Sequence, residues 1–224
     1  MHLSVVIVAG GSGTRMGNEL PKQFLSLSGT PILIRTIAVF RSALPEATIR
    51  VVLPPSHQEL ATEMLREHDL LHAVALTEGG TNRFESVKNG IFQCDHPSLI
   101  LVHDAVRCLV SPQLIQRCVA HAIQQGTAIP VVAVRDSMRK VVDTRSEVVS
   151  REGMYSVQTP QVFSSATLRA AFHQPYRQEF TDEASVVEAA GHEVSLVEGE
   201  HRNIKITFPE DLIVATCMLQ NSVD

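Results

Sequence analysis

The chain has 224 residues, 44% of them apolar, with a formal charge of −5 and a pI near 6.0. That length buries a full core as one α/β domain, while the mildly acidic balance excludes broad binding to nucleic acid or to an anionic membrane, both of which want a basic surface. Any phosphate recognition is therefore local.

The chain opens on an apolar run, residues 3–9, of strand length and ending in glycines, so neither a signal peptide nor a membrane span is expected there. The run leads into Gly10-Gly11-Ser12-Gly13-Thr14-Arg15-Met16-Gly17, with Pro21-Lys22-Gln23 close behind. Glycine lets a backbone take positive φ and bring its N–H groups against an anion, so the stretch is predicted to cradle phosphate. Arg15 adds a planar fork of donors and Lys22 a point charge, which suit different oxygens of a polyphosphate. Two familiar glycine loops do not match. No lysine follows Gly13 or Gly17 as a P-loop requires, and Met16 occupies the third glycine position of the dinucleotide fingerprint. A tight strand-to-helix turn with incidental charges is the alternative.

Downstream, apolar runs at residues 49–53, 73–77, 99–103 and 128–134 lack polar alternation and read as buried parallel strands. Amphipathic stretches lie between them, with helix starts marked by a capping box at Ser56-His57-Gln58-Glu59 and by Ser111-Pro112. This rhythm predicts a doubly wound, mostly parallel α/β sheet in three layers, with ligands beyond the C-terminal strand ends. After one such strand, Gly79-Gly80-Thr81-Asn82-Arg83-Phe84-Glu85-Ser86 offers neutral hydrogen-bonding groups suited to a base or ribose. After the next comes His103-Asp104-Ala105-Val106-Arg107. There Asp104 is placed to hold Mg²⁺, or another divalent cation, bridging a triphosphate, with Arg107 as a further cation and His103 as a structural histidine. A plain cap on the following turn is the alternative for Asp104.

From Asp136 to Gln161 the pattern changes to short, polar-alternating strands at 139–143, 147–150 and 155–158, with too little apolar surface for a core. An isolated hairpin of this kind is marginal in water, so it is predicted to be an antiparallel β-arm that packs on a second subunit, making a homodimer. Residues 182–190 read as a helix, 194–197 and 204–207 as strands, and Pro209-Glu210-Asp211 as the start of a closing helix with acids in its first turn. Lys205 interrupts an apolar strand pattern; a snorkelling stem is the alternative to a ligand contact. Cys94, Cys108, Cys118 and Cys217 show no CxxC spacing and suit reduced thiols in a cytoplasmic setting. A single domain over residues 1–224, with the arm at about 136–161, is the expected organisation.

Taken in order, several segments carry a family likeness over essentially the whole length. They are the glycine loop through Arg15-Met16-Gly17, Pro21-Lys22-Gln23-Phe24, Arg83 with Ser86, and His103-Asp104-Ala105. They continue through Asp136-Ser137-Met138, Gln158-Thr159-Pro160-Gln161, Thr181-Asp182-Glu183-Ala184-Ser185 and Asn203-Ile204-Lys205. The chain resembles the cytidylyltransferases that act on 2-C-methyl-D-erythritol 4-phosphate in non-mevalonate isoprenoid synthesis. The resemblance implies a Rossmann-like nucleotidyltransferase using CTP, a small alditol phosphate and Mg²⁺. It implies that Arg15 and Lys22 stabilise the transition state around the CTP α-phosphate, with Asp104 at the Mg²⁺–triphosphate. It implies nucleotide contacts from Ala9, Gly10, Gly11, Gly13, Gly80, Thr81, Arg83 and Ser86. For the acceptor it implies Arg151 and Lys205, with Thr159 and Arg107 nearby and Arg151 on an arm that crosses to the partner subunit. Departures from the family pattern are Ala9-Gly10-Gly11 for the usual Ala-Ala-Gly, and Val106 and Cys108 for the usual alanine and proline around Arg107, Val106 matching related ribitol 5-phosphate cytidylyltransferases. A ribitol-type acceptor is therefore the alternative within the chemistry, and a non-catalytic nucleotide-binding module the alternative outside it.

Overall fold

A computed structural model describes residues 1–11 and 20–221. In chain order, β1 (Leu3–Val8) is followed by a 3₁₀ turn at Lys22–Phe24, a ribbon of β2 (Ser26–Leu27) and β3 (Thr30–Pro31), α1 (Ile32–Ala43) and β4 (Thr48–Leu53). Next come α2 (Gln58–Glu67), β5 (Val74–Glu78), α3 (Arg83–Phe92), β6 (Leu99–Asp104), α4 (Pro112–Gln125) and β7 (Thr127–Ala133). The remainder holds β8 (Met138–Val142), β9 (Arg145–Val149), β10 (Tyr155–Val157), β11 (Gln161–Ser164), α5 (Ser165–Ala171), α6 (Glu183–Ala189), β12 (Leu196–Glu198) and α7 (Pro209–Gln220).

The main sheet runs β10-β7-β11-β6-β1-β4-β5, with β12 beside β7. Strands β6, β1, β4 and β5 form a parallel block. Helices cover both faces, which is why the central strands β1 and β6 are buried without alternation, whereas the edge strand β5 leaves Ala75 and Glu78 exposed. On β1, Val5 and Ile7 face a core completed by Leu33, Ile37 and Phe40 of α1 and Leu114 of α4. Val6 faces the opposite core with Val87 and Ile91 of α3, Phe163 of β11 and Leu168 of α5. Each such side chain, fully removed from water, contributes about 1.5–3 kcal/mol. Gly90 sets the closeness of α3: a Cβ there would lie 2.6 Å from Val6 Cγ1 and 2.7 Å from Val52 Cγ2. No helix among the described residues is long and apolar enough to cross a membrane.

The doubly wound, mostly parallel sheet is as the periodicity predicts, and Ser111 caps α4 by accepting from Leu114 N at 3.0 Å, with Pro112 at the first position. Four local expectations fail. The stretch at 155–158 does not belong to the arm: β10 pairs antiparallel with β7 on the main sheet, leaving a two-stranded β8–β9 hairpin off that sheet. A strand absent from the prediction, β11, inserts antiparallel between β6 and β7, so β7 has no parallel partner in the block. Residues 204–207 form no strand, because the segment passes the loop after β6, where Ile206 N finds only Val106 O at 3.0 Å. Ser56 forms no capping box; Pro54-Pro55 favour a 3₁₀ turn at Pro55–His57, and α2 starts without a side-chain cap.

Candidate active site

Three connections at the C-terminal ends of the parallel block converge. After β1, Gln23 donates Nε2 to Ala9 O at 2.8 Å while Ala9 N reaches Val52 O at 2.7 Å, fixing where the glycine loop begins. Lys22, 8% exposed, lies beside that loop: a Cβ on Gly11 would sit 3.9 Å from Lys22 Cε. Ser12, Gly13 and Arg15 lie outside the described residues.

After β5, the turn into α3 is built on two glycines. A Cβ on Gly80 would meet Glu85 Cβ at 2.2 Å, which excludes a side chain as the loop stands, and one on Gly79 would press on Ser86 Oγ at 3.0 Å. Asn82 caps the helix through Glu85 N at 2.9 Å. Ser86 Oγ accepts from Gly80 N at 3.1 Å and donates to Asn82 O at 2.8 Å. Thr81 donates its hydroxyl to Glu85 Oε2 at 2.6 Å, a bond that holds the Glu85 carboxyl below the usual carboxylate range.

After β6 stands Asp104, and three cations meet it. Lys205 Nζ is 2.9 Å from Oδ2 and Arg107 Nε is 3.6 Å from the same oxygen, while Arg83 makes a single contact, Nη2 to Oδ1 at 3.2 Å. Burial disfavours a charged Asp104, yet Arg83, Lys205 and Arg107 outweigh burial and hold its carboxyl far below the usual range. Behind it, His103 is fully buried and driven down to about 3 by that burial, so it is neutral. A carbonyl only accepts, so Nε2 of His103 donates to Arg107 O at 3.2 Å and Nδ1 accepts from the Thr159 hydroxyl at 2.9 Å. The same Thr159 oxygen accepts from Asp104 N at 3.1 Å. Thr159 thus faces inward, holding the strand end that carries Asp104.

Two cavities open here. One of about 310 Å³ lies between the β1 loop, Lys22 and the β5–α3 turn. The other, about 240 Å³, lies between Arg107, Gln158, Thr159 and Thr181. Arg83, Asp104 and Lys205 line both and form the wall they share. Of the residues that the resemblance assigns to substrates, Ala9, Gly10, Gly11, Gly80, Thr81 and Ser86 line the first cavity, and Thr159 and Arg107 the second. Arg151 lines neither; it is exposed near the arm and donates to Arg135 O. Sequence reasoning missed Glu183. It reads as an ordinary acid in a helix's first turn, yet it is 1% exposed and holds Arg83 in a fork. Among the described residues no three His, Cys, Asp or Glu side chains converge as a protein-only metal site.

A family model described as 2-C-methyl-D-erythritol 4-phosphate cytidylyltransferase matches residues 3–221. A protein of that name from Bacteroides fragilis is 45% identical over 221 residues, covering 98% of this chain and all of that protein. Among solved structures, the enzyme of that name from Thermus thermophilus is 33% identical with a TM-score of 0.78, covering 98% of this chain and 100% of that one. A 4-diphosphocytidyl-2C-methyl-D-erythritol synthase from Anaerococcus prevotii is 26% identical with a TM-score of 0.82, covering 97% and 96%.

Proposed function

The chain belongs to the 2-C-methyl-D-erythritol 4-phosphate cytidylyltransferase family, and from that membership we infer that its two adjoining cavities receive CTP and the acceptor phosphate. It transfers a cytidylyl group from CTP to 2-C-methyl-D-erythritol 4-phosphate, giving 4-diphosphocytidyl-2-C-methyl-D-erythritol and pyrophosphate. The family likeness favours neither a ribitol 5-phosphate acceptor nor a module without turnover.

The chemistry follows from charge. A phosphate monoester is mostly dianionic near neutral pH, so the nucleophilic oxygen needs no strong base. It attacks the α-phosphorus in line, the bond to pyrophosphate breaks, and no covalent enzyme intermediate forms. Catalysis then rests on positioning and on stabilising the extra negative charge. His103, neutral and bonded through both ring nitrogens, is not a base for this step. Lys22, with Arg15 from the same loop, is assigned to the α-phosphate, and the nucleotide is held by the glycine loop and the Gly80–Ser86 turn. Lys205, on the shared wall, and Arg107, which lines the second cavity alone, are assigned to the acceptor phosphate.

A divalent cation suits this site in one way. Mg²⁺ is commonly held by one or two carboxylates together with substrate phosphates, and Asp104 offers a single carboxylate that three cations keep ionised. Asp104 would therefore hold Mg²⁺ jointly with the triphosphate, and the ion would neutralise charge developing on the leaving pyrophosphate. The β8–β9 hairpin exposes Val141, Val142 and Val148 by 67%, 54% and 75%, which supports its seating on a second copy of the chain and its delivery of Arg151 to that copy's acceptor cavity. Buried thiols at Cys94, Cys108 and Cys118 suit a reducing, cytoplasmic setting.

The observation that carries the reading is the wall of Arg83, Asp104 and Lys205 common to both cavities, since group transfer requires both substrates in contact. Pyrophosphate release should be measured with CTP or UTP and with each purified alditol phosphate. A pocket that hydrogen-bonds the cytosine amino group leaves polar groups unpaired with uracil, so kcat/KM should favour CTP by a factor on the order of 10⁴. Comparable values for the two bases, or for ribitol 5-phosphate as acceptor, refute the assignment.

A further inference from the structure

A carboxylate as buried as Glu183, at 1% exposure, is costly unless it is paired and hydrogen-bonded. Its partner is Arg83, with Nη1 to Oε1 at 2.5 Å and Nη2 to Oε2 at 3.1 Å. The start of α6 that carries Glu183 is itself fixed from β11. Gln161 donates to Asp182 Oδ2 at 2.8 Å and accepts from Ala184 N at 2.9 Å. Gln161 is in register with Val102 on β6, two residues before Asp104. One frame therefore holds both carboxylates between which Arg83 is suspended.

That suspension decides how Arg83 meets Asp104. A guanidinium free to turn prefers a two-bond fork to a carboxylate. Here the fork is spent on Glu183, and Asp104 receives a single contact from Nη2 at 3.2 Å, its other oxygen going to Lys205. We propose that Glu183 is a positioning residue for the cytidylyl transfer: it draws Arg83 into its own fork and so keeps the guanidinium on the wall between the two cavities rather than closed onto Asp104. The proposal rests on the reading of those cavities as the CTP and acceptor sites. It goes beyond that reading because Glu183 touches neither cavity and acts only through Arg83.

A double-mutant cycle tests it. Glu183→Gln should lower kcat/KM for both substrates by about tenfold or more, the scale on which loss of a supporting partner is felt at preorganised sites. In an Arg83→Ala background the same change should add less than about twofold, because the residue it acts through is gone. Arg83→Lys, which keeps the charge but not the fork, should match Glu183→Gln. A purely structural role for Glu183 would instead reduce activity equally in both backgrounds, and that result overturns the proposal, as does wild-type kcat/KM in Glu183→Gln. Should Glu183→Gln fail to fold, Glu183→Asp serves in its place; it keeps the charge, withdraws the carboxylate by one methylene, and should show the same dependence on Arg83. The cycle is also run on CTP binding by calorimetry. If the wild-type chain proves inactive with its assigned substrates, the functional reading falls, and coupling between Glu183 and Arg83 in CTP affinity still decides the positioning role.

Discussion

Lys22 lines the first cavity while only 8% exposed as a residue, so its side chain has little freedom to leave the site. A donor preorganised in this way is worth about 10²–10³ in kcat when it acts on the transition state. Lys22→Ala should show that loss with a much smaller change in KM for CTP, and the same holds for Arg15→Ala. A rise in KM at unchanged kcat would mark either residue as a ground-state binder. His103 makes a different prediction, about acid stability. Its buried ring titrates at about 3, whereas an unfolded histidine titrates at about 6.5. Between those values the unfolded chain binds a proton that the folded chain does not. The stability contributed by this depressed group is therefore complete above pH 6.5 and drains away as pH falls toward 3. Denaturant titrations at pH 7.5 and pH 5 should find the wild type losing about 2 kcal/mol more than His103→Asn across that interval. Equal losses in the two proteins would mean that His103 is not held neutral.

At the level of elements, α3 lies close to the sheet because Gly90 leaves no room for a methyl between Val6 and Val52. Gly90→Ala should cost about 1–3 kcal/mol by overpacking, and, because α3 begins at Arg83, it should also lower kcat/KM. A variant as stable as wild type would show that the helix can lift without penalty. The central parallel strands β1 and β6 were legible because burial on both faces removes polar alternation, but the same signal at 128–134 did not reveal that β7 pairs antiparallel with β10 and β11; the α4 start was legible because Ser111-Pro112 states both a cap and a preset φ. The Ser56 box was not legible as false, since Pro54-Pro55 act on the backbone before any side chain can cap it. β11 was hidden for a different reason: four residues with Gln161 at one end and Ser164 at the other carry too little pattern to mark a strand, and only long-range pairing with β6 and β7 makes one. Among the residues that line the cavities, Asp104 and the Gly80–Ser86 turn stood out in the sequence by their place at strand ends, whereas Lys205 stood out as a cation in an apolar run whose expected strand does not form. Glu183 was not, because an acid in a helix's first turn is favoured by the helix dipole whether it is buried or exposed.

For the whole molecule, the proposed delivery of Arg151 to a second copy predicts that no site is complete in a monomer. Mixing inactive Lys22→Ala and Arg151→Ala chains should then restore activity, since each mixed dimer has one site with both residues intact. With random exchange of equal amounts about half the dimers are mixed, so about a quarter of wild-type activity is expected. Activity fixed at the parental level, once subunit exchange is demonstrated, would place Arg151 in its own subunit's chemistry or outside it. The wall of Arg83, Asp104 and Lys205 has a consequence of its own at this scale. On the proposed placement of CTP and acceptor in the two cavities, a partition owned by two rooms cannot be rearranged from one side alone, so the two substrates should not bind as strangers. Whatever factor CTP imposes on acceptor affinity, the acceptor must return to CTP in equal measure, making each substrate an effector of the other across three side chains.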